Sequence, residues 1–81
     1  MDTSNSKHLE YQFSGPSSSG KTKTWVVYNH TTDVYIGIIK WAGNFRKYAF
    51  FAEPGMMFDA SCLEDVAEFL RAEMIEHRLL K

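Results

Sequence analysis

A single cysteine, Cys62, stands among the 81 residues, so the chain holds no internal disulfide. A secreted domain this small ordinarily needs such staples, which points to a reducing, cytoplasmic setting. No run approaches the roughly 20 apolar residues of a membrane span. The polar stretch Met1 to Lys7 has no apolar core of a leader peptide. Charge of one sign is not in excess either: nine Lys and Arg stand against ten Asp and Glu, for a formal net charge of −1. That balance weighs against a general polyanion binder. His8, His30 and His77 are scattered, and Cys62 is alone, so no metal-ligand spacing exists and no metal or cofactor is expected. No carboxylate pair is placed for acid–base work, so the chain is not expected to be an enzyme.

What is present is one domain's worth of core. Apolar residues make up 44% and aromatics 15% of the chain, too much for a disordered one. Residues 1–20 read as a largely flexible arm. Leu9-Glu10-Tyr11-Gln12-Phe13 within it alternates with period two, a short strand signal. Gly15-Pro16-Ser17-Ser18-Ser19-Gly20 has linker composition.

Residues 21–81 read as a βββα domain. Thr24-Trp25-Val26-Val27-Tyr28 is β-branched and aromatic, as a pleated surface requires. A turn at Asn29 to Asp33 leads to a strand from Val34 to Trp41. A turn at Ala42 to Phe45, with Gly43 and Asn44 suited to positive φ, leads to a strand from Arg46 to Ala52. Connections this short make antiparallel neighbours. Glu53-Pro54-Gly55 stops the sheet, and Met56 to Ala60 connects to a helix. Ser61 reads as its N-cap, with Glu64 completing a capping box and Glu64 and Asp65 near the positive end of the helix dipole. Leu63, Val66, Ala67, Leu70 and Met74 form one helical face, which Phe69 broadens. The fold class is therefore α+β: a three-stranded antiparallel meander packed by one C-terminal amphipathic helix.

Both faces of that sheet are apolar. Alternation places Trp25, Val27, Tyr35, Gly37, Ile39 and Trp41 on one side and Val26, Tyr28, Val34, Ile36, Ile38 and Lys40 on the other. In the third strand, Tyr48 and Phe50 share a face opposite Phe51. One helix covers one face. The second needs a partner chain, a second copy of this chain, or Leu9–Phe13 folded over it.

Gly15-Pro16-Ser17-Ser18-Ser19-Gly20-Lys21-Thr22 matches the phosphate-binding pattern G-x-x-x-x-G-K-[ST]. A working loop of that kind needs a helix opening at the Lys-Thr, so that its amides and dipole meet phosphate. Here strand residues follow, and the match reads as a product of Ser and Gly composition.

Charge is segregated along the chain. Gly20 to Phe50 holds five basic residues and one acid, whereas Phe51 to Lys81 holds three basic residues and seven acids. In a meander, Lys21, Lys23, Lys40, Arg46 and Lys47 meet at one end of the sheet, with Trp41 and Phe45. Such an end can contact anions or nucleic acid, with Arg46 as the bidentate anchor and Trp41 or Phe45 as stacking planes. The plainer reading is a solvated sheet end whose charges discourage edge pairing. Cys62 near the helix start reads as a small packed residue.

From Lys21 onward the chain resembles a group of small uncharacterised proteins of phages, prophages and bacterial genomes. The residues that carry the resemblance are Ser19-Gly20-Lys21-Thr22, Trp25-x-Val27, Gly37-x-Ile39-x-Trp41, Phe45-Arg46-x-Tyr48-x-Phe50-Phe51, Pro54-Gly55, Phe58-Asp59 and Cys62-Leu63-x-Asp65-x-x-x-Phe69-Leu70. The group carries Trp where Phe45 stands. The resemblance implies an accessory protein of a mobile element and lends no catalytic residue. The expected function is a non-enzymatic interaction module that binds a host or phage protein. The alternative is nucleic-acid binding through the basic sheet end. The architecture is also similar to that of small DNA-binding domains that read DNA with three strands backed by a helix.

Overall fold

The computed structural model describes residues 4–5, 9–17 and 20–80. The strands are β1 (Ser4–Asn5), β2 (Leu9–Pro16), β3 (Lys23–Asn29), β4 (Tyr35–Ala42) and β5 (Lys47–Ala52), followed by one helix, α1 (Ala60–Leu80). Strands β2 to β5 form an antiparallel meander in chain order, and the two residues of β1 pair with β2 at its outer edge. The α+β class with a single C-terminal helix is as the sequence indicates, but the meander has four strands, not three.

The additional strand lies in the stretch taken for an arm. Tyr11 pairs with Val27 and Phe13 with Trp25, which extends the sheet beyond β3. Leu9 and Tyr11 point to the helix side and are only 1% and 3% exposed. Leu9–Phe13 therefore builds the sheet edge and the core, and does not fold across the second face. The sheet begins well before Lys21.

The core lies between the sheet and α1. Val27 and Ile39 are fully buried at its centre, joined by Trp25, Tyr48, Val66 and Phe69. Aromatic rings fill much of it: Tyr11 stacks on Phe69 with centroids 4.1 Å apart, and Trp25 meets Phe69 edge-on at 5.1 Å. Such pairs add packing energy beyond the area they bury.

A bulge corrects the expected faces of β4. Val27 pairs with Gly37 and Tyr28 with Tyr35, so Ile36 is an extra residue with no partner in β3. One extra residue reverses the alternation. Ile36 therefore joins the core at 5% exposure, while Tyr35 turns to the second face beside Tyr28, their rings 6.1 Å apart. Gly37 is required at the bulge. A Cβ there would lie 2.6 Å from the Phe51 carbonyl oxygen and 2.7 Å from the Phe50 ring.

The connections also differ in detail from expectation. Asn29 Oδ1 accepts hydrogen bonds from the N–H groups of Thr31 (2.9 Å) and Thr32 (3.1 Å), which holds the β3–β4 turn. In the β4–β5 turn the left-handed residue is Arg46, at φ 58°, rather than Gly43 or Asn44. The helix is capped by Asp59 rather than Ser61: its Oδ1 accepts from the Cys62 N–H at 2.9 Å. The first turn of α1 consequently holds no acid, and Glu64 and Asp65 lie further in. The buried face of α1 centres on Val66 and Phe69, with Leu70 and Met74 partly covered, while Leu63 is 52% exposed.

Candidate functional site

Antiparallel register brings the expected basic residues to one end of the sheet, but the helix sorts them by face. Lys23 opens β3 on the helix side. Its Nζ lies 3.5 Å from Glu76 and 3.9 Å from Glu73, and its N–H donates to the Tyr48 hydroxyl at 3.1 Å. Burial pushes the Glu73 carboxyl above the usual range, against the pull of Lys23. Trp41 lies half-buried on the helix side between Tyr48 (5.3 Å) and His77 (4.7 Å). Its ring is a packing element, which corrects its reading as an exposed stacking plane. His77 is likewise a packed side chain.

Lys40 lies on the opposite face, its Nζ 4.9 Å from the Phe51 ring centroid. Lys21 is exposed in the β2–β3 connection, and Phe45 and Arg46 are exposed in the β4–β5 turn. Lys47, the first residue of β5, belongs to a different set that sequence spacing did not disclose.

That set lines a groove of about 450 Å³ between α1 and β5. Its apolar lining is Tyr48, Ala67, Leu70, Met74 and Ile75. Its cations are Lys47, Arg71 and Arg78, and among the described residues no carboxylate lines it. Arg71, Ile75 and Arg78 recur at i, i+4 and i+7, one flank of a helix. Glu73 and Glu76 fall on the other flank, facing Lys23. The flank of Arg71 and Arg78 also carries Glu64 and Glu68 nearer the helix start, so the cations gather only toward its C-terminal half. The spacing of Arg71 and Arg78 was visible in the chain; their meeting with Lys47 depends on which way the helix lies.

A second surface is the face of the sheet away from α1. It carries Val26, Tyr28, Tyr35, Ile38 and Phe51, tied by the cross-strand pairs Val26–Ile38, Tyr28–Tyr35 and Ile38–Phe51. Glu10 and Gln12, which hydrogen-bond each other at 2.8 Å, border it on β2, and Lys40 borders it on β4. No described element lies across it.

The phosphate-loop match closes a hairpin. Ser17 and Thr22 face each other through backbone (2.8 Å) and hydroxyl (2.8 Å) hydrogen bonds, and β3 follows directly. Thr22 is buried. Cys62 sits in the first turn of α1, where burial and then the Asp59 contact push its thiol upward. Tyr11 is held in its neutral form by burial and by Asp65 beside it. Among the described residues no group of three or more His, Cys, Asp or Glu could hold a metal ion, and no helix is long and apolar enough to cross a membrane.

Fold and surfaces together define a small α+β domain with one sheet face packed and the other bare of any described element. In comparisons with protein-family models, curated proteins and solved structures, no match is found.

Proposed function

We propose that this chain is a non-enzymatic interaction module that acts by binding another protein, as an accessory protein of phage or mobile-element type in the cytoplasm of its host cell. The observation that carries the reading is the bare apolar sheet face of Val26, Tyr28, Tyr35, Ile38 and Phe51. Contiguous apolar patches of this kind mark interaction surfaces on soluble proteins. The mobile-element origin rests on the residue pattern from Lys21 onward. A second copy of the chain is one occupant that would fit such a face.

Nucleic-acid binding is the second reading. Lys21, Lys40, Arg46 and Lys47, with the exposed Phe45, favour it. It predicts affinity that falls steeply with salt and is lost in the Arg46→Ala, Lys47→Ala double variant.

The protein-binding reading is tested by placing a photo-cross-linking residue at position 51 and identifying what it captures, a second copy included. Affinity for the purified partner is then measured with the unaltered chain and with Ile38→Lys. The expected result is weakening of at least about tenfold. An affinity indifferent to Ile38→Lys sinks the reading. So does a chain that captures nothing and sediments as a monomer at its highest soluble concentration.

A further inference from the structure

We infer that the outer edge of β5 and the groove beside it form a docking site for an extended peptide segment that joins the sheet as an added strand and whose helix-facing side chains, at every second residue, are apolar and acidic in turn. The site is separate from the bare sheet face. It rests on the same reading of the chain as a protein-binding module, and it specifies the chemistry of a partner.

The first support is the asymmetry of the two sheet edges. Exposed edges are normally blunted by short length, charge, proline or bulges. At the β2 edge the chain uses several of these devices: Pro16, a register shift between Phe13 and Gly15, and the short strand β1. At the β5 edge it uses almost none. β5 runs Lys47-Tyr48-Ala49-Phe50-Phe51-Ala52, with a single charge at its start. The Glu53 N–H donates to the Ile36 carbonyl across the β4 ladder at 2.9 Å. Alternation then aims the backbone groups of Tyr48, Phe50 and Ala52 away from β4, toward an incoming strand.

The second support is the shape of the groove. A strand paired to this edge would lay every second side chain on the helix side of the sheet. There they would meet Leu70, Met74 and Ile75 along the flank of α1. Ile75 is 55% exposed, so apolar surface stands open for such side chains.

Charge selects the occupant. Lys23, at the same end, has Glu73 and Glu76 beside it. Lys47, Arg71 and Arg78 have no ion-pair partner among the described residues, and they surround the apolar floor. An acidic segment neutralises them. A second copy docking edge to edge would bring the same three cations together. Nucleic acid would meet the cations but has no apolar side chain for the floor and no backbone ladder for β5.

The test uses a short, end-blocked synthetic peptide with valine and glutamate in turn at every second position and threonine between them, titrated into the full chain with amide signals observed by NMR. Saturable shifts are expected along β5 and at Leu70 to Arg78, with hydrogen exchange slowed at Tyr48, Phe50 and Ala52. A control with glutamine in place of glutamate is expected to bind about tenfold more weakly, as is the Arg71→Glu, Arg78→Glu double variant with the original peptide. Both arginines are exposed, so the variant should fold, which its dispersed spectrum verifies. Ile38→Lys should leave peptide binding unchanged. Absence of saturable shifts at these positions overturns the site, as does equal binding by a lysine-for-glutamate peptide. Peptide binding abolished by Ile38→Lys and untouched by the arginine changes moves the peptide to the sheet face, which overturns the edge site while sparing the protein-binding reading. A DNA duplex that shifts Lys47, Arg71 and Arg78 while the peptide does not overturns both.

Discussion

Tyr11 shows what one residue can disclose that its neighbours in sequence cannot. Its ring stacks on Phe69, yet its hydroxyl and the Asp65 Oδ2 are buried without a hydrogen-bond partner among the described residues. Burial, with Asp65 adding to it, raises the phenol above its ordinary value of 10.0. The sign follows from linkage: as pH rises past the unfolded value, the unfolded chain releases the proton while the folded chain holds it. Stability is therefore full below that pH and falls above it. Tyr11→Phe should leave stability at neutral pH within about 1 kcal/mol of the parent, because the lost hydroxyl has no bond to lose. It should also flatten the alkaline decline. Urea unfolding of both chains at neutral pH and near pH 10.5, just above the ordinary tyrosine range, checks this. A loss above about 2 kcal/mol at neutral pH would mean that the hydroxyl is bonded after all. Arg46 makes the same point from the backbone. Gly43 and Asn44 are the residues that a turn rule selects for positive φ, but the loop geometry assigns it to Arg46.

At the scale of elements, the helix was legible from its 3.6-residue period and its start was not. Ser61 and Glu64 form a capping-box pattern, but Asp59 holds the cap because Ala60 already has helical geometry. Two competing caps two residues apart differ only in where the chain leaves the preceding loop, and β5 and Phe58 decide that. Phe58 packs on Phe50 at 5.5 Å and anchors the entry. Asp59→Ala should cost about 1 kcal/mol, and Ser61→Ala a few tenths at most. Denaturant midpoints for the two variants check it, and equal effects would return the cap to Ser61. How the helix rolls onto the sheet sets its buried face, which centres on Val66 and Phe69 and leaves Leu63 outside.

At the scale of the molecule, β2 separates a docked tail from a structural strand. Leu9 and Tyr11 lie against α1 and β3, so the first segment closes the core of a domain with little area to spare. Leu9→Ala should cost about 2–4 kcal/mol, enough to unfold much of a chain with the marginal stability of small domains. Thermal unfolding followed by circular dichroism checks it. A variant that melts with the parent would return this segment to the status of an arm. The period-two alternation at Leu9–Phe13 was visible from the start, but Ser- and Gly-rich residues after it look the same whether they form a linker or a hairpin turn. Pairing with β3 distinguishes the two, and pairing is not a local property.

Local sequence chemistry determined what depends on neighbours along the chain: the α+β class, three of the four main strands, the helix, the antiparallel order imposed by short turns, and the surplus of apolar sheet surface. Tertiary structure decided what depends on register and on the direction of the helix. It moved Ile36 into the core through one unpaired residue, claimed Lys23 for Glu73 and Glu76, and packed Trp41 under α1. It also joined Lys47 to Arg71 and Arg78 beside an undefended strand edge. The physical reason is range: turns and periodicity act over a few residues, while a groove between a strand and a helix exists only after both have docked on the same core.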